Sequence, residues 1–348
     1  MARRRSSTSA FTRAYQRNLK VFTKAAIGTT QKLAGQVRKA AAKQLKPPPG
    51  KGDWLAGIAM GPGGARGYHL FRPAGLQLKF GEKLPLMVML HGCGQTGRDF
   101  AAVTRMNQLA VRERFLVLYP DQDRLHHPQG CWNWYDERSG KSAAEAATLM
   151  AAVDQVCLLY RADRARVAVA GLSAGASMAA LLGSNYPARF QAVVMHSGVA
   201  LGAAKSSAGV LGAMTGRRAP PMPTSAVGKA LKAAASHVEL PPLLVLHGDR
   251  DIVVSHSNAD SAARVWAAAT GALPTAPRLR QRGQRHPMQV TDYKRRGRTY
   301  VTLCEVAGLG HAWSGGPPKL MFSDPAGPDA TRLIWAFAAK QFGHAAVV

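Results

Sequence analysis

Carboxylates are scarce in this sequence of 348 residues, and so is cysteine. There are 19 Asp and Glu against 46 Lys and Arg, and the first acid, Asp53, follows 52 residues that hold 13 Lys or Arg. A formal charge of +27 attracts anionic partners such as nucleic acid, acidic lipid or a negatively charged polymer surface, but says nothing about fold. A solvated basic surface with no dedicated partner accounts for the same count. Four cysteines exclude a disulfide scaffold. The absence of C-x-x-C and H-E-x-x-H removes the commonest zinc arrangements, so no metal or cofactor is expected. No run approaches the roughly 20 apolar residues of a membrane span. No uninterrupted apolar stretch follows the basic start MARRRSSTSAF, so a cleaved secretory signal is not expected and a cytoplasmic or granule-associated location is.

Residues 1–52 stand apart. Phe11, Tyr15, Leu19, Phe22, Ala26, Leu33 and Val37 recur at steps that draw an apolar stripe on a helix, opposite Arg13, Arg17, Lys20, Lys24, Lys32 and Lys39. Pro47-Pro48-Pro49-Gly50 ends any helix and reads as a linker. The segment reads as a basic amphipathic extension that holds the protein at a surface; a helix docked on its own domain, or a disordered tail, is the alternative.

From residue 53 to 348 the pattern is that of one α/β domain. Apolar runs at 84–90, 115–119, 166–170, 191–196, 242–247 and 300–306 suit buried parallel strands, with an earlier strand at 66–72. Helical patterns at 101–113, 143–160, 174–185, 257–270 and 328–342 alternate with them, which predicts a doubly wound, mostly parallel sheet with helices on both faces. Residues 201–240, rich in Gly, Ala and Pro, read as an insertion near the strand ends.

The chemistry centres on Gly171-Leu172-Ser173-Ala174-Gly175. G-x-S-x-G alone is a weak signal in a chain with 35 glycines. Here it follows the strand RVAVA and opens a helix, the strand–elbow–helix context of a nucleophile in the α/β-hydrolase fold. The turn lifts the Ser173 hydroxyl to the carboxyl edge of the sheet, and the Ala174 amide faces the developing oxyanion. A serine needs a base and the base an orienting acid, in the chain order Ser, acid, His. After Ser173 the strand PLLVLH runs into a loop with two acids, Asp249 and Asp251, and the next strand runs into the glycine-flexed loop of His311. His91, His196 and His247 cap apolar strands and read as structural. The loop 90–97 is expected to supply a second oxyanion amide, with Cys93 the best placed; an ordinary glycine-rich strand-to-helix turn is the alternative.

At these residues the chain closely resembles the polyhydroxybutyrate (PHB) depolymerase family of esterases. The matching stretches are LHGCGQ at 90–95, LYPDQD at 118–123, GCWNW at 130–134, GLSAGASM at 171–178, HSG at 196–198, HGDRD at 247–251 and GHAWSGG at 310–316. Ala176 departs from the family's frequent second glycine. The resemblance covers roughly residues 53–342 and implies an α/β-hydrolase that cleaves esters through an acyl-enzyme. HGDRDIVV resembles the hydrolase pattern H-G-x-x-D-x-x-V, which makes Asp251 rather than Asp249 the triad acid beside Ser173 and His311. The family includes polyester depolymerases and relatives acting on feruloyl or acetyl esters of plant polysaccharides, and its resemblance also admits an extracellular location. Trp132, Trp134 and Trp313, in loops at the catalytic edge, are expected to wall the acyl site, the alternative being plain buried aromatics. Cys93 and Cys131 both lie at that edge and are expected to form a disulfide, the alternative being two reduced thiols; Cys157 and Cys304 read as buried free thiols. A different class of reading, a nucleic-acid- or granule-binding protein on an inert hydrolase scaffold, rests on the charge and on eight Lys or Arg within 278–298.

Overall fold

The computed structural model describes residues 47–217 and 239–345. The stripe from Phe11 to Val37 and the middle of the 201–240 insertion therefore lie outside the described residues. A compact unit begins at Pro48. Pro48 is buried and a Cβ on Gly50 would lie 2.7 Å from the Asn107 side chain, so the end of the proline run packs with this unit.

Strands β1 (Gly52–Gly61) and β2 (Gly64–Pro73) form an antiparallel hairpin. Then follow β3 (Leu84–Leu90), α1 (Gly97–Thr104), α2 (Met106–Glu113), β4 (Leu116–Pro120), α3 (Lys141–Leu159), β5 (Ala162–Leu172) and α4 (Ala174–Asn185). β6 (Ala192–His196), α5 (Ser207–Met214), β7 (Leu243–Gly248) and α6 (Ser257–Thr270) come next. Short β8 (Leu273–Pro274) and β9 (Arg278–Arg280) precede the antiparallel hairpin β10 (Met288–Arg295) and β11 (Arg298–Val306). Two-residue strands β12 (Trp313–Ser314) and β13 (Ser323–Asp324) pair with each other, and α7 (Ala330–Ala345) ends the described chain.

The main sheet has eleven strands in the order β1-β2-β4-β3-β5-β6-β7-β11-β10-β8, with β9 beside β10. From β4 to β11 every pairing is parallel. Alternation along each strand builds two cores. Leu86, Val88 and Leu90, with Val167, Val169, Val193 and Val245, face the side of α3, α4 and α6. Met87, Met89, Ala168, Ala170, Val194 and Leu246 face the side of α1, α2 and α7. Fully burying each such Leu, Val or Met stabilises by about 1.5–3 kcal/mol. Helix α4 is buried all round, as its sequence AGASMAALLGSN requires, and Gly183 lets it settle on β6, where a Cβ would meet Val193 at 2.4 Å. Helix α3 is long and apolar enough to cross a membrane, but Leu149, Val153 and Val156 are buried in the domain core.

Six strands, β1, β8, β9, β10, β12 and β13, stand beyond the sequence expectation, and β1 and β10 are the long ones. β1 carries glycine at 52, 57 and 61, which weakens its β signal. Its outer edge is unpaired among the described residues, with Ile58 64% and Met60 71% exposed. β10 hides in the basic cluster, where Met288, Val290 and Tyr293 are buried between polar residues. The chain leaves β3 for β4 on one side and returns to β5 on the other. This switch point sets the loops after β3 and β5 face to face at the carboxyl edge, where such sheets bind ligands.

Candidate active site

β5 ends against Ser173, whose backbone takes φ 57 and ψ −122 before α4 begins. A positive φ in a serine is a strained conformation that costs about 1–3 kcal/mol, held here by the Ser173 N–H donating to His196 O at 2.9 Å. The flanking glycines are steric necessities. A Cβ on Gly171 would lie 2.2 Å from the Gly175 carbonyl carbon, and one on Gly175 would lie 2.2 Å from Leu90 O. The elbow thus presses on the exit of β3, leaving the Ser173 side half-buried.

The loop after β3 meets the elbow directly. A Cβ on Gly92 would sit 3.5 Å from Ser173 Cβ. The loop is braced within itself by Gly92 N donating to Gln95 Oε1 at 2.9 Å, and from outside by Gly94 N donating to Gln129 O at 3.0 Å. The Cys93 amide donates to no group among the described residues, and the amide of Ala174, first in α4, has no intrahelical acceptor. Cys93 is bonded to Cys131, with Cα atoms 4.3 Å apart, which ties this loop to the GCWNW segment. Cys157 and Cys304 are buried free thiols.

Opposite, the loops after β7 and β11 are zipped together. A Cβ on Gly248 would lie 2.0 Å from Leu309 O, and Arg250 N donates to that carbonyl at 3.1 Å. His311 Nδ1 lies 2.7 Å from Asp251 Oδ2. The other carboxylate oxygen of Asp251 accepts from Val253 N at 2.9 Å and Val254 N at 2.8 Å. Burial works against ionisation of Asp251. Hydrogen bonds from His247 and His311, and their charge, outweigh it and hold the carboxyl well below the usual carboxylate range. With the proton on Nδ1, His311 has a free lone pair on Nε2. Asp249 is exposed and accepts from Gly308 N at 2.7 Å, so it braces the turn into the His311 loop instead of touching the imidazole. Among the described residues no hydrogen bond joins Ser173 to His311.

The tryptophans correct the sequence expectation. Trp132 and Trp313 are fully buried and Trp134 nearly so. Trp132 Nε1 donates to His91 O at 2.9 Å and Trp313 Nε1 to Thr331 Oγ1 at 3.1 Å. The indoles of Trp132 and Trp313 thus lie in the core with a partner for each N–H and do not wall the site, whereas Trp134, 5% exposed, packs edge-on against Tyr135 with ring centroids 5.4 Å apart. Residue-by-residue reading also missed Glu145. It is buried against Arg66 at 2.7 Å and accepts from Gln122 Nε2 at 2.5 Å and Asn133 N at 2.6 Å. The signal was present, since LYPDQD and GCWNW supply two of its three partners.

His91, His196 and His247 are buried, as a structural reading of strand-capping histidines expects. His247 Nε2 donates to Val254 O at 3.0 Å with Asp251 Oδ2 at 3.4 Å, while its Nδ1 has no partner among the described residues.

Residues 66–289 match the family described as esterase PHB depolymerase. Among curated proteins, feruloyl esterase B of Neurospora crassa is 32% identical over 124 residues, 35% of this chain and 41% of that protein. Poly(3-hydroxyalkanoate) depolymerase C of Paucimonas lemoignei is 35% identical over 104 residues, 30% of this chain and 25% of that protein. The chain thus spans less than half the length of either relative. Among solved structures, the acetyl xylan esterase from Aspergillus awamori superposes with a TM-score of 0.64 at 20% identity, covering 75% of this chain and 94% of that one, a likeness of fold.

Proposed function

The chain belongs to the esterase PHB depolymerase family, and from that premise we propose that it is a serine esterase acting through Ser173, His311 and Asp251. The observation that carries the reading is the buried Asp251 carboxylate 2.7 Å from His311 Nδ1, on loops at the sheet edge where the strained elbow lifts Ser173. In the reaction His311 Nε2 takes the Ser173 proton as Oγ attacks the ester carbonyl. The oxyanion forms against the amides of Cys93 and Ala174, each such donor worth roughly 3–4 kcal/mol in comparable hydrolases. Collapse breaks the ester C–O bond, and His311 protonates the departing alcohol. Water, deprotonated by His311, then attacks the acyl-enzyme; the Ser173 Oγ–acyl bond breaks and His311 returns the proton to Ser173.

For substrate, 3-hydroxybutyrate esters and their polymer come first, on the family and the depolymerase relative. Feruloyl or acetyl esters of polysaccharides are the second reading, favoured by the Neurospora crassa relative. Residues 1–52 would hold the enzyme at a polyester granule or other anionic surface. A hydrolysis panel of 3-hydroxybutyrate oligomers, solid polymer, methyl ferulate and acetylated xylan separates the two, with Ser173→Ala as the control. Turnover of at least one class is expected, abolished in the variant; no turnover, together with salt-sensitive DNA binding, would instead favour a binding protein on an inert scaffold.

A further inference from the structure

His196 closes β6, is fully buried, and reaches two parts of the site at once. Its carbonyl accepts the Ser173 N–H at 2.9 Å. Its Nε2 accepts the N–H of Ser314 at 3.2 Å, and its ring stacks on Trp313 with centroids 5.0 Å apart and planes 23° from parallel. Trp313 and Ser314 follow His311 directly in the chain after Ala312. Resting on the roles given above to Ser173 and His311, we propose that His196 is a positioning residue. As a neutral imidazole protonated on Nδ1, it fixes the nucleophile elbow against the loop that carries the base.

The tautomer follows from the donors. A backbone N–H aimed at Nε2 requires a lone pair there, which leaves the proton on Nδ1, 3.2 Å from Ser197 Oγ. Burial first, and then the charges of His247 and His311, push the imidazole pKa down to about 3, against an opposing pull from Asp251. Ser197 keeps the strand end turned, with φ 53 and its N–H on Leu246 O at 2.9 Å.

Other tethers hold the His311 loop but lead elsewhere. Arg105 Nη2 donates to Gly315 O at 2.5 Å, Trp313 Nε1 to Thr331, and Ser314 Oγ to Pro328 O at 2.6 Å. These fix the loop to the α1–α2 junction and the start of α7. Without the His196 imidazole the loop keeps these tethers, but Ser314 loses its hydrogen bond to the residue whose carbonyl holds the elbow. A displacement of about 1 Å between reacting groups costs on the order of 10²-fold in rate, with little effect on ground-state binding.

The test compares His196→Phe, which keeps a stacking ring but leaves the Ser314 N–H unpaired, with His196→Gln, whose amide oxygen restores an acceptor near the Nε2 position. Turnover is counted per serine titrated by a phosphonate ester, so unfolded molecules do not contribute. His196→Phe should lower kcat by about 30- to 100-fold with KM within about twofold, and His196→Gln should recover to within about tenfold of wild type. Nitrogen-15 spectra of the wild-type protein should show the His196 proton on Nδ1 from about pH 5 to pH 9. Wild-type kcat per titrated serine in His196→Phe, a glutamine variant no better than the phenylalanine one, or a proton found on Nε2 would each overturn the proposal. The last measurement requires no variant to fold. Failure of the underlying reading looks different: phosphonate on a residue other than Ser173, or a Ser173→Ala protein that still turns over.

Discussion

At the scale of single residues, the neighbouring acids of HGDRD have separate tasks. Asp251 is buried and faces His311, whereas Asp249 is exposed and caps the Gly308 amide. Asp251→Asn is expected to lower kcat by several orders of magnitude and Asp249→Asn by less than about tenfold, measured on a soluble p-nitrophenyl ester; the reverse order would transfer the orienting role. Ser173→Ala and His311→Ala should each cost about as much as the double variant, because groups acting as a unit are not additive. The depressed carboxyl of Asp251 also couples stability to pH. Its contribution is present above the ordinary carboxylate range near about pH 4 and is lost as pH falls through the lower value of the folded state. The stability gap between wild type and Asp251→Asn, read from urea unfolding, should therefore be widest near neutrality and shrink in acid. The residues themselves left Asp249 and Asp251 open, because spacing cannot say which carboxylate is buried; only the resemblance of HGDRDIVV to a known pattern favoured the second.

At the scale of elements, legibility followed apolar density. β3, β5, β6 and β7 are buried on both faces, so their runs of Val, Leu and Met were visible without alternation, and α4 and α6 have the bounds their patterns predicted. β1 and β10 were not legible. Glycines dilute the first; in the second, arginines and lysines surround an alternation that holds only for Met288 and Val290, with Tyr293 out of step and buried on the other face. Nor could sequence show the tryptophans' depth, since a loop residue at the catalytic edge can turn either inward or out. Contacts between elements set the costs of change. Gly175→Ala would drive a methyl into Leu90 O, where the gap is 2.2 Å, and should destabilise by about 3 kcal/mol or more, seen as a lower urea midpoint. Cys131→Ser opens a crosslink spanning 38 residues and is expected to cost about 3–4 kcal/mol, read as a fall in Tm. It should lower kcat as well, because the loop bearing the Cys93 amide loses its anchor.

For the whole molecule, the proposed catalytic groups and both cores lie within the unit that starts at Pro48. Removal of residues 1–46 should leave kcat on a soluble short ester within about threefold, less than about 1 kcal/mol in barrier. The same removal should sharply weaken binding to polymer particles or anionic vesicles, checked by cosedimentation at rising salt. Loss of soluble-ester activity would mean that the segment is part of the catalytic fold.

The outer edge of β1, unpaired among the described residues, bears on behaviour in concentrated solution. Along the ten residues of β1 the backbone groups that point away from β2 have no partner strand among the described residues, Ile58 and Met60 are well exposed, and Asp53 is the one charged side chain. Such an edge invites pairing with a second edge, and neither a lysine nor a proline interrupts it. Like charge between molecules at +27 opposes that encounter, and the opposition acts over roughly one Debye length, about 10 Å at 0.1 M salt and about 3 Å at 1 M. Colloidal stability should therefore depend on ionic strength: the second virial coefficient from light scattering should fall as salt is added. An Ile58→Lys variant, by placing a charge on the edge itself, should flatten that dependence.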